Sequence, residues 1–303
     1  MQDLTKFRGI FPALLTPFDK NDRLNPDSLA ALVEFNIRQG VGGFYVNGST
    51  AEVFMLSDEE RLLAYRTVAE ASAGRVALIA HVGAVSTRAS VKYGEYAASL
   101  GYDAISAVAP FYYKFGFEQI REHYFTIQRS VGLPMIVYNF PGNSGVNLTV
   151  DQISRFLSDD GFIGLKHTSN DYFALQTFKS AFPDKVIYNG YDEMFLCGLS
   201  MGADGGIGST YNFMADKFIR MREKFAAGDI EGARAEQTCA NSVIRSLIKI
   251  GVAEGEKEVL CQMGIDMGRA RAPYRAPDAG SRRVVAEEII PLLTAEVPDS
   301  LKV

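Results

Sequence analysis

The sequence predicts an α/β protein, a (β/α)₈ TIM barrel with a C-terminal helical extension. Up to about residue 225, short apolar runs alternate with longer segments of helical periodicity. There are eight such runs, and eight parallel strands joined by crossover helices can close into a barrel. The predicted strands are 9–15, 43–46, 76–80, 104–108, 135–139, 163–166, 186–189 and 205–208.

The segments between these runs have apolar residues with a period near 3.6, which is typical of helices packed on a sheet. Two of them begin with the spacing of a capping box, in which a hydroxyl residue precedes Glu or Gln by three positions. These are Ser57 with Glu60 and Thr149 with Gln152. The predicted helices include 27–39, 58–73, 87–100 and 117–130.

The last quarter of the chain has helical patterns and no strand pattern. We therefore predict a barrel that carries the active site in residues 1–225 and a helical extension in residues 226–303. Four helices are predicted after the eighth strand, at 216–227, 230–249, 257–267 and 282–293.

Composition and charge narrow the classes of partner. The net charge of −5 and the pI near 5.4 argue against nucleic acid or an anionic membrane as the main partner. No apolar stretch is long enough to span a bilayer, and the N-terminus lacks the layout of a signal peptide. The three cysteines and three histidines show no metal-binding spacing. We expect a cytoplasmic protein without a metal site.

Lys166 is the leading candidate for a catalytic residue. It ends the apolar run 162–166, and lysine is rarely buried unless another group pairs with it. An apolar setting lowers the pKa of the ammonium group, and a partly neutral lysine can attack a carbonyl carbon to form a Schiff base. Taken alone, this segment favours slightly a lysine that extends from the strand end to solvent.

Polar residues at the ends of other predicted strands change that balance. In (β/α)₈ barrels the active site lies at the carboxyl ends of the strands, so residues at these ends converge on one rim. A single solvent-reaching lysine would not explain this clustering. The polar residues at the strand ends include Ser49, Thr50, Tyr138, Thr168, Asp192, Glu193 and Ser209.

Each of these groups has a chemical use and an ordinary structural alternative. Ser49 and Thr50 follow a glycine and can bind a carboxylate with hydroxyl and backbone N–H groups, or can simply cap a helix. Tyr138 can move protons near a positive iminium, or can be a core tyrosine. Asp192 and Glu193 can accept hydrogen bonds from sugar hydroxyls, or can form the acidic first turn of a helix.

These residues, in this order, resemble the pyruvate-dependent class I aldolase family that includes dihydrodipicolinate synthases and N-acetylneuraminate lyases. The resemblance extends from segment 9–18 to the helical C-terminus. It implies that Lys166 forms the imine and that Tyr138 shuttles the proton. No cofactor is then needed, because the covalent imine with the lysine accepts the electrons.

The resemblance also implies roles for residues around these two. Ser49 and Thr50 match the pair that holds the pyruvoyl carboxylate, with Ser49 also among the catalytic residues. Tyr112 matches a tyrosine that family members insert into the site of a neighbouring subunit, which implies a homotetramer. The residues implied to contact the sugar portion of the substrate are Thr168, Gly190, Asp192, Glu193 and Ser209.

Within the family, segments 79–83, 188–193 and 205–212 are most similar to the members that cleave N-acetylneuraminate. The implied reaction is reversible cleavage of N-acetylneuraminate to N-acetylmannosamine and pyruvate. Asn143 stands where the synthases place an arginine, which disfavours synthase activity. Two alternatives stay open: an aldolase or dehydratase for another 2-keto-3-deoxy sugar acid, and a non-catalytic protein that binds a sugar acid.

Overall fold

Eight parallel strands form the central sheet in the computed structural model, which describes residues 3–303. The strands are β1 (Gly9–Pro12), β2 (Gly43–Val46), β3 (Ala77–His81), β4 (Ala104–Val108), β5 (Met135–Asn139), β6 (Phe162–His167), β7 (Val186–Asn189) and β8 (Gly205–Gly208). From β2 onwards each strand pairs with the next in the chain, and β8 pairs with β1. The sheet closes between β1 and β2, where the Leu14 N–H donates to the Tyr45 carbonyl at 3.0 Å. The predicted barrel class is confirmed.

The strand boundaries differ from the predicted ones mainly at the first strand. β1 ends at Pro12 and not at residue 15, because its partner β8 ends opposite at Gly208. β6 is one residue longer at each end than predicted, and its last residue, His167, still pairs with β7.

Helices follow the strands and cover the outside of the barrel. Up to β8 they are α1 (Pro26–Arg38), α2 (Asp58–Ser72), α3 (Thr87–Ser99), α4 (Phe117–Val131), α5 (Pro141–Ser144), α6 (Val150–Leu157), α7 (Tyr172–Ala181) and α8 (Phe195–Ser200). Both predicted capping boxes are present. In the first, the Ser57 N–H donates to Glu60 Oε2 at 2.9 Å, and the Glu60 N–H donates to Ser57 Oγ at 3.2 Å. The chain therefore enters α2 and α6 with its first N–H groups satisfied.

Four helices follow the last strand, as expected, but their limits differ from the predicted ones. They are α9 (Tyr211–Ala226), α10 (Ile230–Ile250), α11 (Val252–Met263) and α12 (Ala279–Val284). α11 begins five residues before its predicted start, because Gly251 adopts φ +93° and lets one helix end and the next begin at once. α12 runs into a π-helical turn, Val285–Ile289. The division into a barrel and an extension near residue 225 stays a prediction.

The apolar residues form two cores, one inside the barrel and one between the sheet and the helices. Side chains alternate along each strand, so neighbours in the sequence belong to different cores. Tyr138 faces the interior, whereas Val137 and Leu165 pack against the helices. Lys166 lies opposite Tyr138 in the β5–β6 register and therefore faces the same interior. Among residues 3–303, no helix is long and apolar enough to cross a membrane.

Candidate active site

A cavity of about 490 Å³ opens at the carboxyl ends of the strands. It brings together nine of the ten residues that the sequence predicted for the site. These nine are Ser49, Thr50, Tyr138, Lys166, Thr168, Gly190, Asp192, Glu193 and Ser209. The tenth, Tyr112, is 75% exposed in the segment after β4 and packs edge-on against Tyr113, outside the cavity wall. The convergence expected from the barrel topology is therefore present for all but this tyrosine.

Lys166 is buried at the bottom of the cavity, with only 5% of the residue exposed. Its Nζ lies 4.2 Å from the ring centroid of Tyr138 and 4.5 Å from that of Tyr45. Burial lowers the pKa of the amine to about 7, although the nearby Asp192 carboxylate acts in the opposite direction. A substantial fraction of the amine is then neutral and nucleophilic at neutral pH.

Tyr45 completes the setting of the lysine, and our reading of the sequence missed it. It lies on β2 with its ring in the barrel interior, and its hydroxyl donates to Ser106 Oγ at 3.0 Å. The side-chain alternation along β2 could have revealed it, since residues 43 and 45 point to the same inward face. Two aromatic rings thus flank the amine.

Tyr138 is buried beside the lysine with its ring stacked on Phe140, at a centroid distance of 5.7 Å. Burial raises the pKa of the phenol, and the hydroxyls of Ser49 and Thr168 partly offset the rise. The phenol therefore stays protonated in the free protein. Because the Ser49 and Thr168 hydroxyls line the same cavity from two different strand ends, the phenol is well placed to pass a proton to or from a bound substrate.

The turn that carries Ser49 and Thr50 has an unusual backbone. It lies between Asn47 at φ +60° and Glu52 at φ +56°, both in the left-handed region that non-glycine residues rarely adopt. Gly48 begins the turn, and a β-carbon there would lie 2.8 Å from the Tyr45 ring. Such strain persists only where the surroundings hold it.

Asp192 forms the opposite wall of the cavity. Its Oδ2 accepts hydrogen bonds from the Thr210 N–H at 2.9 Å and the Thr210 hydroxyl at 2.7 Å. Burial raises the pKa of this carboxyl to about 6, and the Thr210 hydrogen bonds oppose the rise. A β-carbon at Gly208 would lie 1.8 Å from Asp192 Oδ1, so glycine is required there. Beside Asp192, Glu193 lines the same cavity.

Asn143 also lines the cavity, next to Phe140. This is the position at which the sequence departs from the synthases, which the resemblance describes as carrying arginine there. The neutral amide brings no charge to a site that already contains two carboxylates. A substrate with hydroxyl and amide groups on this side fits the wall better than one with a second carboxylate.

His81 and His167 make structural contacts and do not line the cavity. The His81 Nδ1 lies 2.7 Å from the Asn47 carbonyl, and its Nε2 accepts from the Val108 N–H at 3.2 Å. Burial lowers the pKa of His81 to about 3, so the ring is neutral. His167 turns away from the cavity and packs on Phe178. Within the described part of the chain, no group of three His, Cys, Asp or Glu side chains could hold a metal ion.

Comparison with known proteins identifies the family. The model of the dihydrodipicolinate synthetase family matches residues 6–290 of this chain. The chain belongs to the dihydrodipicolinate synthetase family. The family resemblance inferred from the sequence is thereby confirmed.

Three individual proteins show more specifically what the chain resembles. An N-acetylneuraminate lyase of Rhizobium meliloti is 44% identical over 288 residues, which cover 95% of this chain and 96% of the relative. CdNal from Clostridium difficile, in complex with mannosamine, superimposes with a TM-score of 0.91 at 35% identity, covering 94% of this chain and 98% of that one. A catalytic lysine mutant of the Ruminococcus gnavus sialic acid aldolase gives a TM-score of 0.92 at 30% identity, covering 95% and 96%.

Proposed function

We propose that the protein is a Schiff-base-forming aldolase that reversibly cleaves N-acetylneuraminate to N-acetylmannosamine and pyruvate. The observation that carries the proposal is the buried Lys166 amine, which faces the cavity between two tyrosine rings. The relatives support the choice of substrate. One is named as an N-acetylneuraminate lyase, one is a sialic acid aldolase, and one was solved in complex with mannosamine.

The reaction begins when Lys166 Nζ attacks the 2-keto carbon and water leaves as the protonated imine forms. The bond between the third and fourth carbons then breaks, and its electron pair moves into the imine to give an enamine. The hydroxyl on the fourth carbon loses its proton and becomes the aldehyde of N-acetylmannosamine. Protonation of the enamine and hydrolysis of the imine release pyruvate and restore the lysine.

Tyr138 relays the proton in this scheme. In the free protein its phenol is neutral, but a positive imine in the position of the Lys166 amine would stabilise the phenolate across the same short distance. Ser49 and Thr50 hold the substrate carboxylate at the turn after β2. The sugar portion extends along the opposite wall, where the proposed contacts are Thr168, Gly190, Asp192, Glu193 and Ser209.

The wider properties belong to the same proposal. The imine accepts the electrons, so the reaction as proposed uses neither a metal ion nor an organic cofactor. The protein acts in the cytoplasm as a homotetramer, in which Tyr112 enters the site of a neighbouring subunit. The exposed position of Tyr112 at the barrel rim supports this role.

Trapping of the imine tests the proposed chemistry. Incubation with pyruvate and borohydride should add a reduced pyruvyl group to Lys166, located by peptide mass mapping. Lys166→Met should abolish the addition, whereas Lys92→Met, at an exposed lysine paired with Asp58, should leave it intact. An unmodified Lys166 at saturating pyruvate would overturn the mechanism.

A second candidate is an aldolase or dehydratase for another 2-keto-3-deoxy sugar acid, because the Asn143 amide in the cavity wall can bind sugar hydroxyls as well as an acetamido group. This enzyme would share the imine chemistry and differ in the sugar it accepts. Comparison of turnover with N-acetylneuraminate and with 2-keto-3-deoxygluconate separates the two. Any turnover by the purified protein excludes the remaining alternative, a non-catalytic sugar-acid-binding protein.

A further inference from the structure

A buried carboxyl group lies directly behind the sugar side of the cavity. Glu256, on α11, is 1% exposed, and its Oε1 lies 2.6 Å from the Ser209 hydroxyl oxygen. Ser209 lines the cavity, whereas Glu256 does not. The carboxyl group can therefore reach a ligand only through the serine.

The surroundings of Glu256 favour its neutral form. The Asp192 carboxylate repels a second negative charge, and the adjacent Lys257 is already paired with Glu52 at 2.5 Å. Burial raises the pKa of Glu256 to about 8. A carboxyl group that is costly to bury persists where a hydrogen bond compensates for the cost, and the Ser209 hydroxyl provides that bond.

The short contact with Ser209 sets the direction of the hydrogen bonds. The Ser209 hydroxyl donates to Glu256 Oε1, and a carboxyl oxygen can accept this bond whether the group is neutral or ionised. The serine oxygen then presents its lone pairs to the cavity. A hydroxyl group on a bound ligand can donate to these lone pairs.

We propose that Glu256 is a positioning residue that holds the Ser209 hydroxyl so that its oxygen accepts a hydrogen bond from a hydroxyl group on the sugar portion of the substrate. The inference rests on the proposed function, since it assumes that the sugar lies against Ser209. It assigns to the C-terminal extension a part in substrate selection. The residue acts through the serine and not on the reacting carbons, so it affects binding and leaves imine formation unchanged.

Steady-state kinetics with three variants tests this role. Glu256→Leu removes the acceptor that holds Ser209 and should raise the KM for N-acetylneuraminate about tenfold with kcat nearly unchanged, the effect of one lost hydrogen bond made equally in ground and transition states. Glu256→Gln retains a carbonyl oxygen that can accept from Ser209 and should keep KM within about threefold of the original value. Glu256→Leu combined with Ser209→Ala should be no worse than Ser209→Ala alone, because both act through one contact.

A matched control and an independent readout keep the result interpretable. Glu258→Leu changes a residue on the same helix that lies near Arg282, at 3.6 Å, and should leave KM unaltered. Trapping with pyruvate and borohydride should remain complete in every variant, so its failure in the unaltered protein would count against the proposed function and not against this inference. Glu256→Met, which is flexible and unbranched, replaces the leucine variant if that one does not fold.

The inference is overturned if the leucine or methionine variant keeps the original KM. It is also overturned if the effects of the Glu256 and Ser209 substitutions multiply in the double variant, which would show that the two residues act separately.

Discussion

At the scale of single residues, the properties that make Lys166 reactive also cost stability. The amine has a pKa of about 7 in the folded protein, against an ordinary value of 10.5. The unfolded chain therefore binds this proton more tightly than the folded one. Protonation favours unfolding increasingly as the pH falls from about 10.5 to 7, and the penalty is constant below that range.

Replacement of the lysine should consequently stabilise the protein. We expect Lys166→Met to raise the free energy of unfolding by about 2–4 kcal/mol at pH 6, because it removes a buried charge. The gain should be smaller at pH 9, where the folded lysine is already neutral. Thermal unfolding at the two pH values measures this, with Lys92→Met as an exposed control worth about 0–1 kcal/mol. An equal or larger gain at pH 9 would contradict the buried-amine account.

At the scale of elements, α11 connects the extension to the turn after β2. Its Lys257 pairs with Glu52 at 2.5 Å, and both side chains are almost fully buried. The Arg271 N–H donates to the other oxygen of Glu52 at 2.6 Å. Glu52 is the residue with a left-handed backbone conformation that ends the turn bearing Ser49. The helix thus holds the strained backbone of the proposed carboxylate site in place.

Loss of this ion pair should affect both stability and substrate binding. We expect Lys257→Met to lower the free energy of unfolding by about 3 kcal/mol, because it leaves the Glu52 carboxylate buried without its cation. The pyruvate concentration that half-saturates borohydride trapping should rise, since the turn loses its support. Measurement of thermal unfolding and of trapping against pyruvate concentration tests both effects.

Two further variants distinguish this explanation from general damage. Adding Glu52→Gln to Lys257→Met should recover part of the lost stability, because it removes the unpaired charge. Lys224→Met breaks a half-exposed pair with Glu236 and should cost no more than about 1 kcal/mol. A double variant less stable than Lys257→Met would argue against the ion pair as the cause.

Comparison of the predicted and observed elements shows which features local sequence patterns determine. The eight strands and most helix starts follow from local periodicity and caps, so they were predictable. Barrel topology predicted that the strand ends converge, and the family resemblance selected the nine cavity residues among them. Glu256 was not predictable, since we predicted that its helix begins at residue 257 and nothing local marks a buried carboxyl group. Its partner Ser209 is 47 positions away, and only tertiary packing brings the two together.

At the scale of the whole molecule, one edge of the barrel rim is unusually aromatic. Tyr112, Tyr113, Phe54 and Phe115 are all exposed, and the rings of Tyr112, Tyr113 and Phe115 contact one another in series. Exposed apolar surface of this kind is typical of protein–protein interfaces. The proposed homotetramer would cover it.

Mixed assemblies test both the assembly and the role of Tyr112. Sedimentation should give a particle of about four times the 33.2 kDa chain. Tyr112→Ala and Lys166→Met should each be nearly inactive alone. Co-expressed, they should regain activity, because a Lys166→Met subunit still supplies Tyr112 to a neighbour that retains the lysine. Co-expressed chains no more active than the Tyr112→Ala protein alone would exclude a shared site.

The position of α11 after the last strand has a consequence for how such enzymes diversify. The lysine that makes the imine lies on β6, whereas the acid proposed to orient Ser209 lies on a helix that begins after the glycine hinge at Gly251. The two residues therefore lie on separate stretches of the chain. A substitution in the last sixth of the sequence can therefore tune sugar binding through Ser209 without touching the residues proposed for the carbon–carbon bond chemistry.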